Sequence, residues 1–149
     1  MIILDTNVIS EMMKPAPSIA VTAWLDSQNS AALLITSVTI AEISYGLSIL
    51  PVGKRRELLA NAFNQVIAEA FNYRVLLFDE TAAYHYGRMM GKRKAQGQPM
   101  SALDGQIAAI AKANDTKIAT RNAKDFADCG LALINPFEYN YHINEPGIG

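Results

Sequence analysis

Short apolar runs alternate along this chain with longer segments in which apolar residues recur at helical spacing. The apolar runs, which predict buried strands, lie at 1–4, 32–36, 74–78, 117–120 and 131–134. The helical segments lie at 19–25, 54–71, 80–95 and 102–113, with one more that follows Ser37 and Thr39 and ends at Leu50. Because parallel strands need crossover connections, this alternation predicts a three-layer α/β/α sandwich with a mainly parallel central sheet.

One domain accounts for the alternating region. The chain has 149 residues, of which 50% are hydrophobic, which is enough for one core and too little for a second domain. After Pro136 the sequence FEYNYHINEPGIG has no clear periodicity. We therefore expect a folded domain over 1–137 and a C-terminal tail over 138–149 that is extended or partly mobile.

Charge and cysteine content exclude some classes of protein. Thirteen Lys and Arg stand against fourteen Asp and Glu, so the net charge of -1 gives no argument for nucleic-acid binding. The single cysteine, Cys129, cannot form an internal disulfide and is expected to be a buried, inert thiol in a reducing compartment. The opening MIILDTN lacks the charged segment of a secretion signal, and no apolar run approaches the roughly 20 residues of a membrane span. We expect a cytoplasmic protein with no membrane partner.

Four acidic residues fall where a parallel sheet builds its functional crevice, outside the carboxyl ends of the strands. Asp5 closes the first predicted strand, and polar Thr6 after it is expected to begin a turn. Glu42 lies near the start of the helix after the second strand. Asp104 opens the fifth predicted helix, and Asp125 follows the fourth strand. The four carboxylates are therefore expected on one side of the sheet.

Each of the four also has a purely structural interpretation. Asp5 fits an Asx turn, and the others have capping-box spacing from Thr39, Ser101 and Asn122. On the predicted helices, however, Glu42 and Asp104 share faces with small or apolar residues at offsets of three, four and seven positions. Those residues are Tyr45, Gly46 and Ile49 for Glu42, and Ile107, Ala108 and Ala111 for Asp104. An inward carboxylate needs a counter-charge, and because the basic residues cluster elsewhere, Mg²⁺ or Mn²⁺ is the favoured partner.

Four segments, in this order and spacing, resemble the motif set of PIN-domain ribonucleases. They are ILDTNVIS at the N-terminus, TIAE at 39–42, ALDGQIAAIAK at 102–112 and TRNAKDF at 120–126. Over essentially 1–137 the chain is similar to the VapC and FitB toxins of bacterial type II toxin–antitoxin pairs. The resemblance implies a PIN-like fold and Mg²⁺-dependent endonucleolytic cleavage of RNA. It also implies a homodimer, inhibition by a cognate antitoxin whose tail enters the active-site groove, and operator DNA bound only through that antitoxin.

The resemblance also implies roles for individual residues. Asp5, Glu42 and Asp104 would be catalytic acids of the metal site, with Asp5 and Asp104 as its foremost ligands. Asn122 stands where some members of the family carry an acid, so Asp125 either binds a second metal through water or caps the local turn. Contacts to RNA or phosphate are expected from Thr6, Asn7, Arg121 and Asn122, although Arg121 could equally pair with Asp125.

Two basic clusters have open roles. The groups at 54–56, and at Arg88 with 92–94, either contact RNA phosphates or are solvated helix faces. His85, inside the fourth predicted helix, is expected to pack rather than to catalyse.

Two other classes of function also stay open. One is a non-catalytic module that binds protein or RNA, which an absence of metal binding would favour. The other is a phosphoryl-transfer domain of the receiver or haloacid-dehalogenase type, which a trapped aspartyl-phosphate would favour. Against this second class, Asp5-Thr6-Asn7 lacks the second aspartate of an Asp-x-Asp motif.

Overall fold

Five short strands form the central sheet of this computed structural model, which describes residues 1–144. The strands are β1 (Ile2–Leu4), β2 (Leu33–Thr36), β3 (Val75–Leu76), β4 (Lys117–Ala119) and β5 (Leu133–Ile134). Their order in space is β3-β2-β1-β4-β5, and all four neighbouring pairs are parallel. The chain first adds strands on one side of β1 and then on the other. This reversal opens a crevice at the carboxyl ends of β1 and β4, where α/β folds bind their ligands.

Six helices lie between the strands in this part of the chain. They are α1 (Thr6–Met12), α2 (Ile19–Ser27), α3 (Ser37–Ser48), α4 (Lys54–Gln65), α5 (Glu80–Ala95) and α6 (Ala102–Ala113). α4 continues into a π-helical turn, and four 3-10 turns complete the described structure. The π turn is Val66–Ala70, and the 3-10 turns are Ser30–Ala32, Ala123–Phe126, Pro136–Glu138 and Tyr141–Asn144. None of the helices within residues 1–144 combines the length and hydropathy that crossing a membrane requires.

Every predicted strand and helix is present, although β3 and β5 are shorter than predicted and the end of the third predicted helix is a π turn. One helix, α1 at the start of the chain, was not predicted. The turn expected at Thr6 and Asn7 is the first turn of α1. Asp5 explains the difference, because its side chain accepts a hydrogen bond from the backbone N–H of Thr6 and so caps a helix at once after β1.

Alternate side chains of the strands enter two separate hydrophobic cores. Ile3, Leu34 and Ile118 pack on one face with residues of α5 and α6. Leu4 and Ile35 pack on the opposite face with residues of α1, α2 and α4. Successive residues of a strand point to opposite faces, so apolar residues at every position require helices on both sides. The predicted three-layer α/β/α sandwich is therefore confirmed.

The C-terminal turns lie beside α2. Both Pro136–Glu138 and Tyr141–Asn144 contact that helix. Residues 145–149 lie outside the described residues. The domain boundary at 137 and the extended or mobile tail over 138–149 therefore stay predictions.

Candidate active site

Asp5 lies where β1 ends and α1 begins, and both of its carboxylate oxygens accept hydrogen bonds. Oδ1 accepts from the backbone N–H of Thr6 at 2.8 Å. Oδ2 accepts from the hydroxyl of Thr120 at 2.8 Å and from the side-chain amide of Asn7 at 3.2 Å. The residue is only 5% exposed. One oxygen of Asp5 therefore caps α1, where the sequence indicated an Asx turn, while the other is held by Thr120, just after β4, and by Asn7.

Thr120, just after β4, is the residue of this site that the sequence analysis did not single out. It is fully buried, and its hydroxyl oxygen also accepts from the backbone N–H of Asn122 at 3.1 Å. Asn7 braces the same connection, because its side-chain oxygen accepts from the backbone N–H of Arg121 at 3.1 Å. A polar residue directly after an apolar strand was the available signal. The role of Thr120 depends on the pairing of β4 with β1, which brings it next to Asp5. The two residues are 115 positions apart in the sequence.

Glu42 lies in the second turn of α3 and is half-buried. Its Oε1 accepts a hydrogen bond from the hydroxyl of Thr6 at 3.1 Å, and that hydroxyl oxygen also lies 3.1 Å from Oγ1 of Thr39. The alternative interpretation of Thr39 and Glu42 as a capping box is wrong. The cap of α3 is Thr36, whose hydroxyl accepts from the backbone N–H of Thr39 at 3.1 Å. Glu42 is thus free of a capping role.

The apolar face expected around Glu42 is not buried, which corrects a second expectation. Tyr45 and Ile49 are 67% and 64% exposed. The buried residues of α3 are Val38, Thr39 and Ile43, so the buried face is centred about 50° around the helix from Glu42. Glu42 therefore lies at the edge of the crevice.

Asp104 lies in the first turn of α6, where its position agrees with the sequence analysis. Ser101 caps this helix by accepting a hydrogen bond from the backbone N–H of Asp104 at 3.2 Å. Asp104 itself is half-buried. The residues that share its face are fully buried, as predicted: Ile107, Ala108 and Ala111.

Asp125 is exposed, in the 3-10 turn Ala123–Phe126. Its backbone N–H donates to the carbonyl of Asn122 at 3.0 Å, and no side chain caps this turn. The expected alternative of a pair between Arg121 and Asp125 is wrong. The Arg121 guanidinium instead lies over the ring of Phe137, with 4.6 Å from Cζ to the ring centroid.

The carboxylates raise one another's pKa. Burial is the main cause of the raised pKa of Asp5, Glu42 and Asp104. The charge of Asp104 further raises the pKa of Asp5, and the charges of both raise the pKa of Glu42. The charge of Asp125 raises the pKa of Asp104. Hydrogen bonds from Thr120, Thr6 and Ser101 lower these pKa values but do not cancel the effect of burial.

No basic side chain offsets these acids. Residues 1–144 contain one ion pair, between Lys14 and Glu11 at 2.7 Å, and it includes none of the four acids of the crevice. The acid cluster, defined here as Asp5, Glu42, Asp104 and Asp125, is therefore a concentration of uncompensated negative charge.

The donor set of the acid cluster fits a hydrated hard cation better than a closed cage of protein ligands. In the described part of the chain, no three His, Cys, Asp or Glu side chains are placed to share one ion. Mg²⁺ typically takes only one or two protein carboxylates and keeps several waters. Asp5 already accepts three hydrogen bonds, which leaves one of its roughly four lone-pair positions for a metal. The oxygen donors therefore suit a hard divalent cation with water and phosphate as its other ligands.

The chain is similar to known proteins in both sequence and fold. The family model described as PIN domain matches residues 2–130. VapC ribonuclease Y4jK of Sinorhizobium fredii is 42% identical over 138 residues, which cover 93% of this chain and 99% of the relative. Toxin FitB of Neisseria gonorrhoeae is 39% identical, covering 92% and 99%. A solved structure of FitAB bound to an IR36 DNA fragment has a TM-score of 0.85 at 38% identity, covering 95% of this chain and 99% of that one.

Proposed function

This chain belongs to the PIN-domain family, and from that premise we propose that it is a metal-dependent endoribonuclease and the toxin of a type II toxin–antitoxin pair. The observation that carries the proposal is the acid cluster at the carboxyl ends of β1 and β4, whose charges have no basic partner in residues 1–144. A cation among these carboxylates would offset both their repulsion and the cost of their burial. The relatives named VapC ribonuclease and toxin FitB support the same activity and role.

Asp5 and Asp104 would hold the ion, with Glu42 as the third acid of the site. Bound there, Mg²⁺ or Mn²⁺ would supply a water of lowered pKa and neutralise charge on the phosphate. Thr120 and Asn7 fix the orientation of Asp5, so its carboxylate reaches the reaction already ordered.

Glu42 has one carboxylate oxygen available to move a proton. Its Oε1 accepts from Thr6, whereas Oε2 has no hydrogen-bond partner within residues 1–144. Oε2 is therefore the atom that would accept the proton of the attacking water, because it makes no competing hydrogen bond within the described residues.

The remaining candidate residues lie around this centre. Asn7, Thr6 and Asn122 would act mainly by holding the acids, since their polar groups already bond Asp5, Glu42 and Thr120. Arg121 is exposed and would contact an RNA phosphate from the rim of the crevice. Asp125, also exposed, would bind a second ion through water.

An antitoxin is the proposed protein partner. The exposed side chains of Tyr45 and Ile49, next to Glu42 on α3, offer an apolar surface where an inhibitory segment could enter the groove. The solved structure of FitAB bound to an IR36 DNA fragment supports a complex that can bind DNA. We propose that this chain reaches operator DNA only through its antitoxin. We further propose a homodimer and a cytoplasmic location.

The test is cleavage of end-labelled total RNA by purified, antitoxin-free protein in Mg²⁺, in Mn²⁺ and in EDTA, beside the Asp104→Asn variant. We expect discrete, metal-dependent products that the variant does not form. Isothermal titration with Mn²⁺ on the same preparations separates the alternatives. If the protein is folded but binds no metal and cleaves no RNA, the alternative function of a non-catalytic interaction module is favoured.

A further inference from the structure

A second concentration of charge, of opposite sign, lies between α5 and α6. A cavity of about 330 Å³ is lined by α5, by the C-terminal end of α6 and by the turn at 128–130. We call it the basic cavity, and its charged lining is Arg88, Lys92, Arg93 and Lys112, with one acid, Asp128. Four of the 13 basic residues thus meet in one cavity of a chain whose net charge is -1. This grouping makes the cavity a candidate site for an anion.

Arg93 gives the basic cavity a fixed, buried cation. The residue is 6% exposed, and its Nε donates to the carbonyl of Gln98 at 2.7 Å, while Nη1 donates to the carbonyl of Ala127. Neutral carbonyls hold the guanidinium in place without cancelling its charge. No carboxylate of residues 1–144 pairs with it, and Nη2 has no hydrogen-bond partner there. The wall of the cavity therefore carries a positive charge that an anion can meet.

Lys112 is directed to the same cavity by the turn opposite it. Its Nζ donates to the carbonyl of Gly130 at 3.3 Å. Gly130 has a φ of +71°, and a Cβ at that position would lie 2.8 Å from Nζ of Lys112. Glycine therefore allows both the turn and the close approach of the ammonium group.

Arg88 and Lys92 complete the lining from one face of α5. They are four positions apart, so their side chains are neighbours on the helix surface and repel each other. All three side chains are exposed, but Lys94 differs from the other two because it does not line the cavity. The sequence-based alternative of a solvated helix face therefore applies to Lys94, whereas Arg88 and Lys92 share the cavity.

We propose that the basic cavity binds a phosphate group of the RNA backbone away from the scissile bond. The identity of this ligand rests on the proposed ribonuclease function. Several cations around one cavity suit the oxygens of a phosphate, and the guanidinium can offer paired donors. Lys112 follows Asp104 by eight positions in the same helix, a rise of about 12 Å. An RNA strand cleaved at the acid cluster crosses such a distance within a few nucleotides.

The experiment compares two double variants that each remove one Arg and one Lys. Arg88→Ala/Lys112→Ala removes two cations of the cavity, whereas Arg55→Ala/Lys94→Ala removes two exposed cations outside it. Binding of a fluorescent single-stranded oligoribonucleotide is followed by anisotropy in EDTA over a range of salt concentrations. We expect the cavity variant to weaken binding about tenfold and to lower the salt slope by about 0.7 for each lost phosphate contact. The control variant should change Kd less than about twofold.

The proposed phosphate site is wrong if the two double variants weaken RNA binding equally. It is also wrong if both bind RNA with the Kd of wild type. Cleavage in Mg²⁺, measured on the same proteins, separates this failure from that of the proposed function. If wild type cleaves RNA and Asp104→Asn does not, while the cavity variant binds like the control, only the phosphate site is wrong. If wild type neither binds nor cleaves RNA, both proposals are wrong. A last outcome is that inorganic phosphate competes with RNA but the cavity variant binds RNA as well as the control variant does. That outcome would make a small free anion, and not RNA, the ligand of the cavity.

Discussion

The acid cluster and the basic cavity gather charges of opposite sign, and the fold supports them in different ways. In the acid cluster Asp5, Glu42 and Asp104 are buried or half-buried, and hydroxyl and amide side chains such as Thr120 and Asn7 hold Asp5. In the cavity, backbone carbonyls hold Arg93 and Lys112, and most of the cations are exposed. In neither region does an ion pair within residues 1–144 neutralise the charge. A protein that keeps its charges apart in this way leaves each group available to a ligand of the opposite sign.

The largest effect is expected at the acid cluster, from Asp104→Asn. The change removes a charged metal ligand with little change of volume, so cleavage should fall by roughly a hundredfold or more. Ser101 can still cap α6, because the cap bond uses the backbone N–H of Asp104. Stability should be unchanged or slightly higher, since repulsion from Asp125 is lost. Rates of RNA cleavage and urea denaturation check the two expectations. If the variant does not fold, the carboxylate of Asp104 is needed for the structure and its catalytic role is not supported.

Asp5→Asn is a less clean test of the same cluster. Its oxygen can still cap α1, but the new amide group would face the side-chain amide of Asn7, so two donors would meet. We expect loss of cleavage together with loss of stability. Comparing the two substitutions therefore separates the metal role of a carboxylate from its role in the fold.

Thr120→Val tests how the acid cluster is held. Valine keeps the shape of threonine but removes the hydroxyl that donates to Asp5 and accepts from the backbone N–H of Asn122. Because the site is fully buried, the free energy of unfolding should fall by about 1–3 kcal/mol. Thr120→Ser, which restores the hydroxyl, should recover most of the loss. A pH profile of cleavage that moves to higher pH in Thr120→Val, because Asp5 loses a bond that lowers its pKa, would distinguish positioning from packing.

The sequence predicted the sheet and its helices because those depend on local signals. Runs of apolar residues, helical spacing and caps such as Ser101 act within a few positions. Asp5 and Asp104 could be found the same way, since each lies at the end or the start of an element. Thr120 could not, because its partner, Asp5, follows β1, and only the pairing of β1 with β4 brings the two residues together.

The faces of the helices were harder to predict than their positions. Glu42 was assigned to a buried face, but spacing alone does not say which side of α3 meets the sheet. The basic cluster of α5 shows the same limit. The structure separates Lys94 from Lys92 and adds Lys112 from another helix. Such groupings depend on tertiary packing, which no local pattern records.

Gly130→Ala tests the cavity as Thr120→Val tests the acid cluster. A residue with a side chain at a φ of +71° costs about 1–2 kcal/mol, and its Cβ would displace the ammonium group of Lys112. We expect that loss in the free energy of unfolding, together with RNA affinity reduced a fewfold. Gly97→Ala is the matched control, because it has a φ of +70° with no neighbour within 4 Å. Equal RNA affinities of the two variants would mean that Lys112 does not need its present position.

The smallest expected effect is the pH dependence of stability in metal-free protein. A carboxyl whose pKa is raised by folding binds more protons in the folded than in the unfolded state, so stability falls as pH rises through that interval. The interval begins near the ordinary values, 3.8 for Asp and 4.5 for Glu, and extends upward to the raised pKa values of Asp5, Glu42 and Asp104. Because Glu42 and Asp104 are half-exposed, each should contribute less than about 1 kcal/mol.

Urea denaturation between pH 4 and 7 in EDTA, on wild type and Asp104→Asn, measures how stability changes with pH. The contributions of titrating groups outside the acid cluster are the same in the two proteins, so they cancel in the comparison. The lowered pKa of Glu11 gives stability that is present above its ordinary value of 4.5 and lost as pH falls, but it is the same in both proteins. Wild type should therefore lose more stability than the variant as pH rises. Mg²⁺ should oppose that loss in wild type, because it binds the ionised carboxylates. If the two proteins have equal slopes and Mg²⁺ stabilises neither, Asp104 is not part of a cation site, and the contrast between the two charged regions loses its chemical basis.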